Sequence, residues 1–224
     1  MDLYSVVTEN KWLLEALYTL IITSICMIIF LKTDRFFRLS LHNGIRYFRN
    51  AFLFFGIGFL VRYILGLFSD FSIANADIVK IIFEYFMIMA GFFLLYSLVW
   101  KKFASKNEYS SIFNSKITLF NIMAIVLALL DEVWQTYNFM FFSQIIIFSY
   151  ISVISLINYL KKSEKFKFLK FYFIGMLLIF SAWILNFLAA SVFHWHPLIL
   201  INVGIINIIF FFLFLYGVIK ATTK

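Results

Sequence analysis

Charge is what this sequence has least of. Asp, Glu, Lys and Arg make up only 13% of its 224 residues, about half the share of an ordinary soluble domain. That excludes a sizeable water-soluble domain, and with it a kinase, a nuclease or another polar catalytic module. Cysteine is nearly absent too: Cys26 stands alone in an apolar run, which excludes a disulfide scaffold. The one proline, Pro197, falls between two apolar runs, so no run carries a proline hinge. A basic leader is also missing, because Asp2 and Glu9 face only Lys11 ahead of the first apolar run. That run is expected to be a full span and not a cleaved signal peptide.

What the chain does have is hydrophobic length. Sixty-four per cent of its residues are apolar; at roughly 20 residues per membrane span this is enough for about seven helices and little else. Seven runs stand out, at 12–31, 49–69, 78–99, 117–134, 139–160, 171–193 and 198–219. Helices are expected, because an open strand in lipid leaves its backbone groups without partners. A β-barrel needs alternating polarity, and the stretch 208–215 does not alternate. The expected fold class is therefore all-α: a single domain over 1–224, an integral membrane bundle of seven transmembrane helices.

The net charge of +8 invites a nucleic-acid reading, but its distribution points elsewhere. Sixteen of the nineteen basic residues lie between runs one and two, three and four, or five and six, or after run seven. Eight of the eleven acids, among them Asp77, Glu84, Asp131 and Glu132, lie on or face the opposite side. The excess of Lys and Arg in cytoplasmic loops then places the N-terminus outside and the C-terminus in the cytoplasm of a cell membrane. The basic loops face anionic lipid, and a cytoplasmic signalling partner could dock on Lys161–Lys170. No nucleic-acid partner is expected.

The third and seventh runs end alike. Residues 92–99 align with 212–219 at an offset of 120, pairing Tyr96 with Tyr216. Runs two and six align at an offset of 121, with Arg49 over Lys170, Phe52 over Phe173 and Phe59 over Phe180. The pattern predicts two three-helix units joined by run four, a parallel 3+1+3 repeat.

Seven helices with that orientation and repeat resemble, at the level of topology, the broad group of microbial rhodopsins and of SWEET-type and PQ-loop transporters. They also resemble the seven-helix sensory regions found ahead of bacterial and archaeal histidine kinases. The rhodopsin resemblance implies a retinal lysine in the middle of the seventh helix. Run 198–219 contains none, and Lys220 sits at its end, so no retinal pigment is expected. The transporter resemblance implies a Pro-Gln hinge, which Pro197 does not supply. The sensory resemblance departs least. The abundance of Phe, Ile, Lys and Asn fits an AT-rich prokaryotic genome.

Polar residues inside the runs are the candidates for function, because each costs about 2.5–3.5 kcal/mol at depth if ionisable. Arg62 and Glu84 lie at similar depth, roughly 10 Å beneath the outer surface, on consecutive runs, and are expected to form an ion pair. Gln144, Trp183, Asn186 and Asn202 share the outer half. Trp183, Asn186 and Ala190 fall on one helical face. These residues are the expected lining of an outward-facing pocket for an unknown small ligand. His194 and His196 flank Trp195 ahead of Pro197. They form at most a weak metal pair, because zinc wants three or four ligands; a headgroup-level turn with Pro197 opening the last helix accounts for them better. Neither a metal nor another cofactor is expected. No nucleophile elbow, Walker loop or His-Glu-x-x-His motif occurs, so an enzyme is the less favoured reading. The leading expectation is a receptor-like or sensory bundle. The alternatives are a small 3+1+3 transporter of a polar solute and a membrane scaffold subunit.

Overall fold

The computed structural model describes residues 11–68, 73–103, 115–162, 168–193 and 197–222. They form seven helices: α1 (Lys11–Ser40), α2 (Asn43–Phe68), α3 (Ile73–Phe103), α4 (Ser115–Val133), α5 (Asn138–Lys162), α6 (Phe168–Ser191) and α7 (Pro197–Thr222). Six of the seven are long and apolar enough to cross a membrane. The chain is thus a multi-pass helical membrane protein, and its apolar helices require a lipid bilayer around them.

The helix that falls short is α4, expected as a full span at 117–134. It has only 19 residues. Lys116 at one end and Asp131 and Glu132 at the other leave a shorter apolar stretch between them. The other departure is at the first hairpin. The basic stretch between the first two runs is not a loop. Helix α1 continues to Ser40 and α2 begins at Asn43, because Lys and Arg are good helix formers and can reach past the apolar zone on long side chains. The turn is Leu41-His42. Leu41 takes a left-handed conformation (φ 51°), and its N–H donates to the Phe37 carbonyl at 2.7 Å, the usual way to stop a helix. Asp34 of α1 pairs with Arg38 and with Arg49 of α2. The Arg49 guanidinium also lies over the rings of Phe30 and Phe37, at 5.4 and 5.5 Å, which closes this basic end of the hairpin.

Neighbouring helices run in the order α1, α2, α3, α5, α6, α7 and back to α1, while α4 sits outside in the groove between α3 and α5. The half of the bundle nearest the basic end is filled by rings. Phe214 of α7 packs on Phe48 and Phe52 of α2 and on Tyr172 of α6, with centroids 5.3–5.8 Å apart. Gly175 makes this possible: a Cβ there would meet the Phe214 ring at 2.3 Å. Phe52, Phe211 and Phe214 are buried. Helix α4 changes what α3 presents to lipid. Phe92 stacks on Phe120 of α4 at 4.9 Å, with Tyr96 edge-on to the same ring. Tyr96 is 3% exposed as a result, whereas Tyr216, its match at the offset of 120, is 50% exposed on an uncovered α7.

Candidate functional site

The opposite, acidic end holds the buried polar groups. Lys80 begins the series on α3. Its ammonium donates to the Asp131 carbonyl and to Glu132 Oε2 of α4, both at 3.2 Å, and lies 5.0 Å from the centre of the Tyr137 ring. Lysine thus closes the C-terminus of α4, where the helix dipole favours a cation.

Asp131 is fully buried, and both oxygens of its carboxylate are hydrogen-bonded. It accepts from Thr136 Oγ1 at 2.9 Å, from the Phe139 N–H at 2.9 Å and from the Met140 N–H at 2.7 Å. The last two are orphan donors of the first turn of α5. A residue of α4 therefore caps the next helix. The tight reversal between them needs Gln135 at φ 50°.

Glu84, one turn below Lys80 on α3, is buried to the same degree and is treated differently. Neither Oε1 nor Oε2 has a hydrogen-bond partner, and its exposure is 0%. Its charged neighbours are Asp131, Lys80 and Glu132. Lys80 and Asp131 are committed to the contacts just described. The expected Arg62–Glu84 ion pair is not made. The Arg62 guanidinium instead lies over the ring of Phe83, 5.8 Å from its centre, and Arg62 is exposed. Equal depth fixed the height of the two groups but not their direction: Phe83 and Glu84 leave α3 about 100° apart, and α2 meets the Phe83 side. Arg62 is within electrostatic range of Tyr18 on α1 and of Tyr137 at the start of α5. Tyr137 is also in range of Glu84. Burial pushes the Tyr137 phenol up from its ordinary value, against the opposing pull of Lys80, so it remains a neutral hydroxyl within range of the exposed Arg62 guanidinium and the buried Glu84 carboxyl group.

Deeper in the bundle, Gln144 of α5 is fully buried. Its Nε2 donates to the Met87 carbonyl at 3.3 Å, while Oε1 has no partner. It fits because position 91 of α3 is glycine: a Cβ there would stand 2.8 Å from Oε1. Trp183 of α6 is 5% exposed, its Nε1 is without a partner, and its ring meets Phe141 of α5 at 6.1 Å. Asn186 is half-buried further along α6, and Asn202 is exposed on α7. On the α1–α7 side, Asn207 donates to the Tyr18 hydroxyl at 3.0 Å. Tyr85 of α3 donates to Asn121 of α4 at 2.5 Å.

The structure thus gathers Glu84, Gln144 and Trp183 into the interior, leaves Arg62 and Asn202 exposed, and separates Arg62 from Glu84. Sequence reasoning missed Lys80, Tyr137 and Gly91. It counted Asp131 only among the acids on the side opposite the basic loops. No local signal identifies Asp131 as a cap, since the helix it caps begins seven residues later. Among the described residues no group of three or more His, Cys, Asp or Glu could hold a metal ion; His194 and His196 lie outside them. The pieces at hand are hydrogen-bond acceptors without donors, one unpartnered indole N–H and one exposed guanidinium. They suit binding and supply no nucleophile with a base.

Comparison with known proteins adds a fragmentary likeness. No family model matches the chain, and no solved structure does. An uncharacterised protein of Archaeoglobus fulgidus is 29% identical over 98 residues, which are 39% of this chain and 43% of that protein. The likeness therefore spans less than half of either protein.

Proposed function

We propose that this chain is a receptor-like seven-helix protein of the cell membrane, N-terminus outside and C-terminus in the cytoplasm, with a ligand pocket opening at its acidic, outer end. The observation that carries the proposal is Glu84: a fully buried carboxylate with both oxygens unpartnered. Such a group is costly to keep in an apolar bundle and marks a place where something else donates. Gln144, Trp183, Arg62, Asn186 and Asn202 are the further lining residues of this reading. A 3+1+3 repeat accounts for the order of helices round the bundle, with α1 against α7 and α3 against α5, and for α4 standing outside it.

The ring packing of Phe48, Phe52, Tyr172, Phe211 and Phe214 supports reception over transport, because alternating access needs a polar route through that half as well. Cysteine accessibility tests the reading on a Cys26→Ala background. A membrane-impermeant maleimide added outside intact cells is expected to label Arg62→Cys and Asn186→Cys, and to leave Phe52→Cys and Phe214→Cys unlabelled from either side. Labelling of Phe214→Cys from the cytoplasmic side would convert the reading to a transporter. No labelling at Arg62→Cys or Asn186→Cys would leave a closed bundle and remove the pocket.

A further inference from the structure

We infer that two copies of this chain pair in the membrane through the outer face of α5, with Ser149 and Tyr150 at the centre of the contact. The inference concerns the lipid-facing surface and is independent of the ligand pocket.

The first observation is a hydroxyl in the wrong place. Tyr150 stands midway between Asn138 and Lys162, the ends of α5, about 18 Å from either and so at the centre of the bilayer. It is 52% exposed, and exposure at that depth is exposure to hydrocarbon. Tyrosine in a membrane ordinarily sits at the interface, where its hydroxyl meets water. Among the described residues the Tyr150 hydroxyl has no hydrogen-bond partner, and neither has its neighbour Ser149. Ser143, Ser155, Ser181 and Ser191 each donate to a carbonyl three or four residues back. The Tyr150 side chain is too rigid and too long to do the same, so its partner must come from outside the chain. A hydroxyl left alone in hydrocarbon is costly.

The second observation is the seam around it. Phe142, Ile146, Ser149, Val153, Leu156 and Leu160 are all exposed, and they recur at alternating steps of four and three. That is the 3.5-residue period of a left-handed helix pair. Ile146 and Val153 hold one heptad position, and Ser149 and Leu156 the other. Branched residues at the first with leucine at the second favour two parallel strands. A small residue at the middle lets two helices approach closely. Beside the seam, Phe180 of α6 joins Ser149 and Tyr150 in lining a groove of about 420 Å³.

Three occupants could cover this face. A lipid tail carries no hydrogen-bonding group and leaves Tyr150 as it is. A compact ligand fills the groove but not the seam from Phe142 to Leu160. A second α5 uses both. Every copy crosses the membrane in the same orientation, so a twofold axis along the membrane normal sets α5 parallel to α5 and each seam residue against its own counterpart. Ser149 then meets the second copy's Ser149, and Tyr150 donates across the contact to that hydroxyl.

Oxidative cross-linking in the membranes of expressing cells, with one new cysteine in a Cys26→Ala chain, tests the inference. Ile146→Cys, Ser149→Cys and Val153→Cys are each expected to give a disulfide-linked dimer. Ile122→Cys on α4 and Leu177→Cys on α6, also exposed, are expected to give none. Photobleaching of single molecules in liposomes then follows pairing as lipid dilutes the protein. Tyr150→Phe is expected to weaken pairing about fivefold to tenfold, the worth of two hydroxyl bonds in a membrane, and Val153→Trp to abolish it. Both residues are exposed, so neither change touches the core of the single chain. Seam cysteines that link no better than Leu177→Cys would return the face to lipid and overturn the inference. It is equally overturned if they link to a different protein and not to each other, or if Tyr150→Phe pairs like the unaltered chain.

Discussion

The last turn of α4 and the outer half of α3 each bury a carboxyl group completely, and the two could hardly be treated more differently. Asp131 accepts three hydrogen bonds, two of them from backbone N–H groups that have no other partner in their helix. Glu84, an electrostatic neighbour of Asp131, accepts none. Burial is the same in both, so burial does not distinguish structure from function at this end of the bundle. Satisfaction does. An acid with both oxygens hydrogen-bonded holds the fold together. An acid with neither bonded is kept at a cost, and the cost calls for another explanation.

Four single substitutions, and one compensating change, can break or sharpen this contrast. The largest effect is expected at the turn. Asp131→Ala leaves the Thr136 hydroxyl and the Phe139 and Met140 N–H groups without their acceptor, and is expected to cost about 3–4 kcal/mol. Reversible unfolding in mixed micelles would measure it. A loss below about 1 kcal/mol would mean that water reaches the turn and that the two acids differ less than their contacts imply. Next is Gly91→Ala, which places a methyl 2.8 Å from Gln144 Oε1 and is expected to cost about 1–3 kcal/mol by overpacking. Gln144→Ala in the same chain should recover part of that loss, because the clash is with the end of that side chain.

Glu84→Leu is expected to move stability the other way, by about 1 kcal/mol or somewhat more, since replacing an unpaired buried polar group with an apolar one removes a desolvation cost. A clear loss of stability in the ligand-free protein would show that Glu84 has structural partners after all and would end the contrast. The smallest effect belongs to Gln135→Gly. It relieves the left-handed residue of the turn, worth about 1 kcal/mol, at the expense of two exposed side-chain bonds to Glu132. The net is expected to be a gain of about 0.5 kcal/mol. A large gain would assign the turn's strength to its backbone and not to Asp131.

Much of the fold was legible because lipid imposes so simple a rule. Apolar runs of about twenty residues must be helices, and the run boundaries at 139–160 and 198–219 fall within two or three residues of α5 and α7. The first hairpin was not legible, because arginines and lysines that mark a membrane boundary do not mark a helix end. Pro197 opens α7 as its missing N–H predicts. Within the site, depth could be counted along each run, and it placed Glu84 and Gln144 on the polar side of the bundle. Azimuth could not be counted. Whether Arg62 meets Phe83 or Glu84 depends on how α2 rolls against α3, and that is set by packing spread over the whole interface. Asp131 shows the same limit from another direction, because a cap that reaches across a turn leaves no spacing rule behind it.

Helix α4 has a consequence for the lipid around the molecule. Its apolar stretch from 117 to 130 rises about 21 Å, against about 30 Å for the hydrocarbon core of a typical bilayer. The 31-residue α3 beside it is longer than that core. One flank of the bundle therefore asks for a thin membrane and the rest for an ordinary one. Lipids along α4 must shorten or tilt to meet it, at a cost of fractions of a kcal/mol per ångström of mismatch. The molecule carries a dimple in its own annulus, and two molecules that turn their α4 flanks toward each other deform one patch of bilayer in place of two.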